Sequence, residues 1–127
     1  MVEDISSLMR NDTIMFEYEV RDMKRAVKWY QEVLGLKVTF EGGECHTEFA
    51  HPVKGTRLAL SLTEKQRENG RSPSRLFIAT DDIHAVEAYL QGRNVKTRPI
   101  ENVSDVVLTL WTEDSEGNYF AFEQRVK

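Results

Sequence analysis

Charged and aromatic side chains recur at every second position in several short stretches of this chain. That spacing places them on one face of a strand. Met15, Glu17 and Glu19 alternate with Ile14, Phe16, Tyr18 and Val20. Arg57, Ala59 and Ser61 alternate with Leu58, Leu60 and Leu62, and Arg75, Phe77 and Ala79 with Leu76 and Ile78. Thr109 and Trp111 stand opposite Leu108 and Leu110, and Tyr119, Ala121 and Glu123 close the series. If the apolar faces pack on helices, the others line a cleft with aromatic walls and charges of both signs. In such a cleft a buried glutamate such as Glu17 can act as a general base. Glu17, Glu19 and Glu123 with a nearby histidine can hold a hard ion such as Mg or Mn. Arg57 or Arg75 can grip a carboxylate or phenolate with two parallel hydrogen bonds. The same charges can also neutralise one another structurally, and Trp111 can serve as core or as dimer-interface packing.

Other reactive residue types carry weaker signals. His46 and His51 lie on or near a strand, while His84 falls on the exposed side of a helix. Cys45 has no Cys–His pairing in the sequence and reads as an inert strand residue. Asp22 and Asp82 read first as helix caps.

Helical spacing of Met23, Ala26, Val27, Tyr30, Val33 and Leu34 predicts a helix over 22–34, stopped near Gly35. Strands are predicted at 13–20, 36–40, 45–50 and 57–62, with Gly42-Gly43 as a hairpin turn. Residues 63–74 are polar, contain Gly70 and Pro73, and read as a linker. The order then repeats: a strand from 75, a helix over 82–91 ended by Gly92, and strands around 95–97, 106–112 and 119–124.

The two halves superimpose in register. Val20-Arg21-Asp22-Met23 lands on Thr80-Asp81-Asp82-Ile83, and Gly55-Thr56-Arg57-Leu58-Ala59-Leu60 on Gly117-Asn118-Tyr119-Phe120-Ala121-Phe122. The same alignment pairs Phe49 with Trp111. These matches indicate a duplicated βαβββ unit. One half is too small to cover its own sheet, and pairing two halves solves that. The expected fold is α+β: two tandem βαβββ modules forming a curved sheet around a concave cleft, helices outside. The expected division is a tail at 1–12 and one domain at 13–127, with modules at 13–62 and 75–125.

Composition narrows the partners. Apolar residues make up 40% and charged residues 30% of 127 residues, with a net charge of −4, as in soluble globular chains. An acidic chain with scattered Lys and Arg argues against nucleic acid and anionic membranes. No apolar run approaches a membrane span, and the first dozen residues lack the basic start and apolar stretch of a signal peptide. A single cysteine fits a reducing cytoplasm.

Val20-Arg21-Asp22-Met23, Ala26-Val27-Lys28-Trp29-Tyr30, Val33-Leu34-Gly35-Leu36, Asp81-Asp82-Ile83 and Asp114-Ser115-Glu116-Gly117-Asn118 together resemble the vicinal oxygen chelate superfamily. That group holds glyoxalases, bleomycin-resistance proteins and extradiol dioxygenases. Its usual closing motif is Asp-Pro-x-Gly-Asn, and Ser115 replaces the proline here. Metal-dependent members hold an ion with His, Glu or Gln at four equivalent places. Carried over, these fall on Met15, Ala59, Arg75 and Ala121. Two alanines offer no ligand atom, Arg75 no acceptor, and Met15 only a soft thioether. The resemblance therefore implies a small-molecule-binding protein of the bleomycin-resistance type with no metal cofactor and a homodimeric assembly. The expected cleft residues are Glu17, Glu19, Arg57, Arg75, Phe77, Trp111, Tyr119 and Glu123. The alternatives are an enzyme of the same superfamily, with a displaced metal or none, and an interaction partner with an unused cleft.

Overall fold

The computed structural model describes residues 5–63 and 75–126. The expected linker thus lies almost wholly outside the described residues. Of the N-terminal tail, Ile5–Leu8 forms a short 3-10 helix without buried residues.

Module one runs β1 (Ile14–Val20), α1 (Met23–Glu32), β2 (Lys37–Glu41), β3 (His46–Ala50) and β4 (Thr56–Leu62). Module two repeats it with β5 (Leu76–Ala79), α2 (Ile83–Gln91), β6 (Glu101–Val103), β7 (Val107–Glu113) and β8 (Tyr119–Arg125). Each module makes one four-stranded sheet, in the orders β1-β4-β3-β2 and β5-β8-β7-β6. The first strand of each module pairs parallel with the last, and the remaining pairs are antiparallel. No helix among the described residues is long and apolar enough to cross a membrane.

Both helices start where the side chains dictate. The Asp22 carboxylate accepts from the Arg25 amide at 3.0 Å, and that of Asp82 from the Ala85 amide at 3.0 Å. Gly55 and Gly117 precede β4 and β8 with φ of +80° and +82°, a region that favours glycine. At Gly55 a Cβ would also come within 2.7 Å of the Asp12 carbonyl oxygen. One expected strand is displaced. Residues 95–97 make only an isolated bridge, Thr97 with Thr112, and β6 forms at Glu101–Val103 instead. Pro99, between the bridge and β6, has no N–H to give a ladder.

The larger core joins the modules. Tyr18, Val20, Ala26, Tyr30, Phe49, Leu58 and Leu60 from module one cluster with Phe120 from module two, with Leu76, Ile78 and Phe122 packed against them. A smaller cluster of Ile83, Leu90 and Leu110 seats α2 on sheet two. Residues of the second module thus complete the core of the first.

Candidate ligand-binding site

The faces turned away from the core are set by strand register. On sheet one the rows are Met15–Arg57–Ala50, Glu17–Ala59–Glu48 and Glu19–Ser61–His46. On sheet two they are Phe77–Ala121–Trp111 and Ala79–Glu123–Thr109, with Tyr119 beside Glu113. Ala59 and Ala121 hold equivalent central places, and both are fully buried between larger neighbours.

Register corrects one expectation. Glu48, not Phe49, sits in the row equivalent to that of Trp111. Phe49 pairs with Leu58, is fully buried, and packs against Tyr30 at 5.8 Å between ring centroids. Sliding the alignment by one residue on β3 exchanges the two faces of the strand. The slip hid His46 and Glu48, which the alternation of Thr47 and Phe49 with their neighbours would have revealed.

Sheet two gathers the aromatic wall. The small methyl side chain of Ala121 lets Phe77 and Trp111 meet edge to face, with centroids 5.3 Å apart. The Arg75 guanidinium lies 5.8 Å from the Trp111 ring, and that of Arg98 lies 5.2 Å from the Tyr119 ring. Arg98 also donates to the Tyr119 hydroxyl at 3.4 Å. A cavity of about 230 Å³ opens here, lined by Lys96, Thr97, Arg98, Trp111, Thr112, Glu113 and Tyr119. Lys96 and Arg98 come from the segment displaced from strand structure, which is why strand periodicity did not find them. Phe77 remains half exposed, and Glu123 is partly buried in its row.

Sheet one is the acidic counterpart. Glu17 is exposed and Glu19 half-buried. Arg57 donates to Glu48 at 2.7 Å, and His46 and Glu48 lie 2.9 Å apart. The hydrogen bond to His46 and the nearby Arg57 guanidinium hold the Glu48 carboxyl below its usual range. Arg57 thus stands on β4 beside Glu48, and Arg75 just before β5 beside Trp111.

The four positions that the resemblance assigns to metal ligands, Met15, Ala59, Arg75 and Ala121, offer an ion no fitting donor set. Two present methyl groups, one a fixed cation and one a thioether, and the alanines are covered by neighbouring strands. No group of three or more His, Cys, Asp or Glu among the described residues is arranged to hold a metal.

The family model of the Glyoxalase/Bleomycin resistance protein/Dioxygenase superfamily matches residues 14–122, and the chain belongs to this superfamily. A search of curated proteins by sequence finds no match. Among solved structures, a glyoxalase/bleomycin resistance protein/dioxygenase from Nocardioides superimposes with a TM-score of 0.78 at 14% identity, covering 97% of this chain and 89% of that one. TnmS3, an antibiotic binding protein from Streptomyces sp. CB03234, gives 0.73 at 23% identity over 91% and 97% of the chains. Lactoylglutathione lyase from Agrobacterium tumefaciens gives 0.74 at 12% identity over 91% and 94%. At these identities the likeness is one of fold.

Proposed function

We propose that this chain is a metal-free small-molecule-binding protein that holds a planar, anionic aromatic ligand against sheet two. The observation that carries the reading is the Phe77–Trp111 pair closing over Ala121. An aromatic platform takes the place where metal-dependent relatives carry a ligand side chain. Arg75 and Arg98 flank that platform and supply the positive charge an anion needs. A pocket with apolar walls and a few placed polar groups is sufficient for sequestration. TnmS3, which shares the fold, is an antibiotic binding protein, and that lends the reading support.

The chain assembles in this reading as a homodimer. The acidic face of one copy, with Glu17, Glu19 and Arg57, then lies opposite the Phe77, Trp111, Tyr119 and Glu123 face of the other. Titration of a Trp29→Phe variant with planar aromatic carboxylates tests the function, because Trp111 is then the sole tryptophan reporter. Saturable quenching that is lost in Arg98→Ala supports the proposal. Unchanged emission across a panel of such compounds overturns it.

A further inference from the structure

On the open face of sheet one, four side chains form a single hydrogen-bonded chain. Ser61 Oγ lies 3.3 Å from His46 Nδ1, and His46 Nε2 lies 2.9 Å from Glu48 Oε2. The second Glu48 oxygen accepts from Arg57 at 2.7 Å. Strand geometry fixes the set: His46 and Ser61 are direct cross-strand partners, and Glu48 is two residues along β3 on the same face. The ring of Phe40 stands 6.2 Å from that of His46 and shields one side.

Donor and acceptor roles follow from the chemistry of the groups. Glu48 is ionised at neutral pH and accepts only. In the neutral imidazole His46 Nε2 then carries the ring proton, and Nδ1 keeps its lone pair. The Ser61 hydroxyl then donates to Nδ1 and keeps its own lone pairs for a partner on the open face. A nucleophile bonded to a base, with the base oriented by a third group, is the arrangement that activates a serine.

We propose that Ser61 is a nucleophile activated by His46 and oriented by Glu48, and that this face captures acyl groups from activated esters bearing a positive charge. The inference goes beyond the ligand-binding reading and does not rest on it. Charge selects the substrate class. Glu19 is the cross-strand partner of Ser61 on β1, and Glu17 that of Ala59. These carboxylates attract an ammonium group and repel an anionic ester.

In the step, Ser61 Oγ bonds to the carbonyl carbon and its proton passes to His46 Nδ1. The bond to the leaving oxygen breaks, and that oxygen takes the proton from His46. Both β3 and β4 are hydrogen-bonded along both edges, so their amides serve the ladder rather than a developing oxyanion. Good leaving groups such as phenolates are therefore needed, and the product is a long-lived acyl-Ser61, formed once per chain.

The test incubates the full chain with 4-nitrophenyl esters of trimethylglycine, acetic acid and succinic acid, which differ in charge. It reads nitrophenolate release, intact mass and the modified peptide. The expected result is one acyl group on Ser61, formed fastest with the cationic ester and slowest with the anionic one. His46→Gln should slow acylation by roughly a hundredfold, the scale of general-base assistance. Glu48→Gln should slow it less, and Ser61→Ala should abolish it. Adducts confined to Cys45 or lysines overturn the proposal, as does Ser61 acylated equally fast in a folded His46→Gln variant. Equal rates for the three esters overturn the charge selection. If Ser61→Ala does not fold, peptide mapping of the wild type still decides.

Discussion

Tyr30 donates its hydroxyl to Asp114 across 2.6 Å, tying α1 of the first module to the β7–β8 turn of the second. Asp114 also accepts from the amides of Glu116 and Asn118 and from the Asn118 side chain. Burial nevertheless leaves its carboxyl above the usual range. Removing the hydroxyl in Tyr30→Phe takes one donor from a buried acceptor, at a cost of about 1.5–3 kcal/mol. Urea denaturation should show a lowered midpoint with an unchanged slope. A midpoint equal to that of wild type would show that the contact adds nothing.

A second tie between modules gives a pH signature. Arg25 holds Glu116 at 2.7 and 3.0 Å, and the Glu116 side chain is 1% exposed. Burial alone would raise this carboxyl, but bonds from Arg25, the Asp22 amide and Ser115 outweigh it and hold it low. A depressed carboxyl contributes stability above its unfolded value and loses it as pH falls through the folded one. Wild type should therefore exceed Glu116→Gln in stability at pH 7, and the gap should close as pH drops through the acid range. A gap independent of pH would refute the assignment.

Arg75 is exposed, and its guanidinium lies 5.8 Å from the Trp111 ring. Its loss should accordingly cost little stability, about 0.5–1 kcal/mol for an exposed cation–π contact. Affinity for an aromatic anion should fall roughly tenfold in the same variant. Thermal melting alongside the fluorescence titration separates the two effects. A large drop in melting temperature without a change in affinity would assign Arg75 a structural role.

Metal addition offers a simple check on the ligand positions. Ions that bind the folded chain must raise its melting temperature by mass action. Ni, Zn and Mn should leave it unchanged, because Ala59, Ala121 and Arg75 offer no acceptor. A rise of several degrees that EDTA reverses would contradict this and direct mutagenesis to Glu17, Glu19 and Glu123.

Much of the fold was legible in the sequence because periodicity and capping are local properties. Alternation set the faces of β1, β4, β5, β7 and β8, and Asp22 and Asp82 marked both helix starts. Superposing the halves placed Ala59 and Ala121 in equivalent slots, as register confirms. Those are two of the positions that the resemblance assigns to metal ligands, and both carry alanine.

What the sequence could not decide was which face partners which. Alternation distinguishes two faces of β3 but not the register that aligns Glu48, rather than Phe49, with the Trp111 row. Tertiary pairing settles that, and with it the His46–Glu48–Arg57 cluster. Tyr30 meets Asp114, Arg25 meets Glu116, and Arg98 meets Tyr119 only once the chain has folded, because no periodicity links positions so distant. The chain by itself determined the order of strands and helices in the two modules, since that rests on residue type and spacing. Packing determined the aromatic wall and the acidic face, since contacts across sheets depend on how apolar surfaces close against each other.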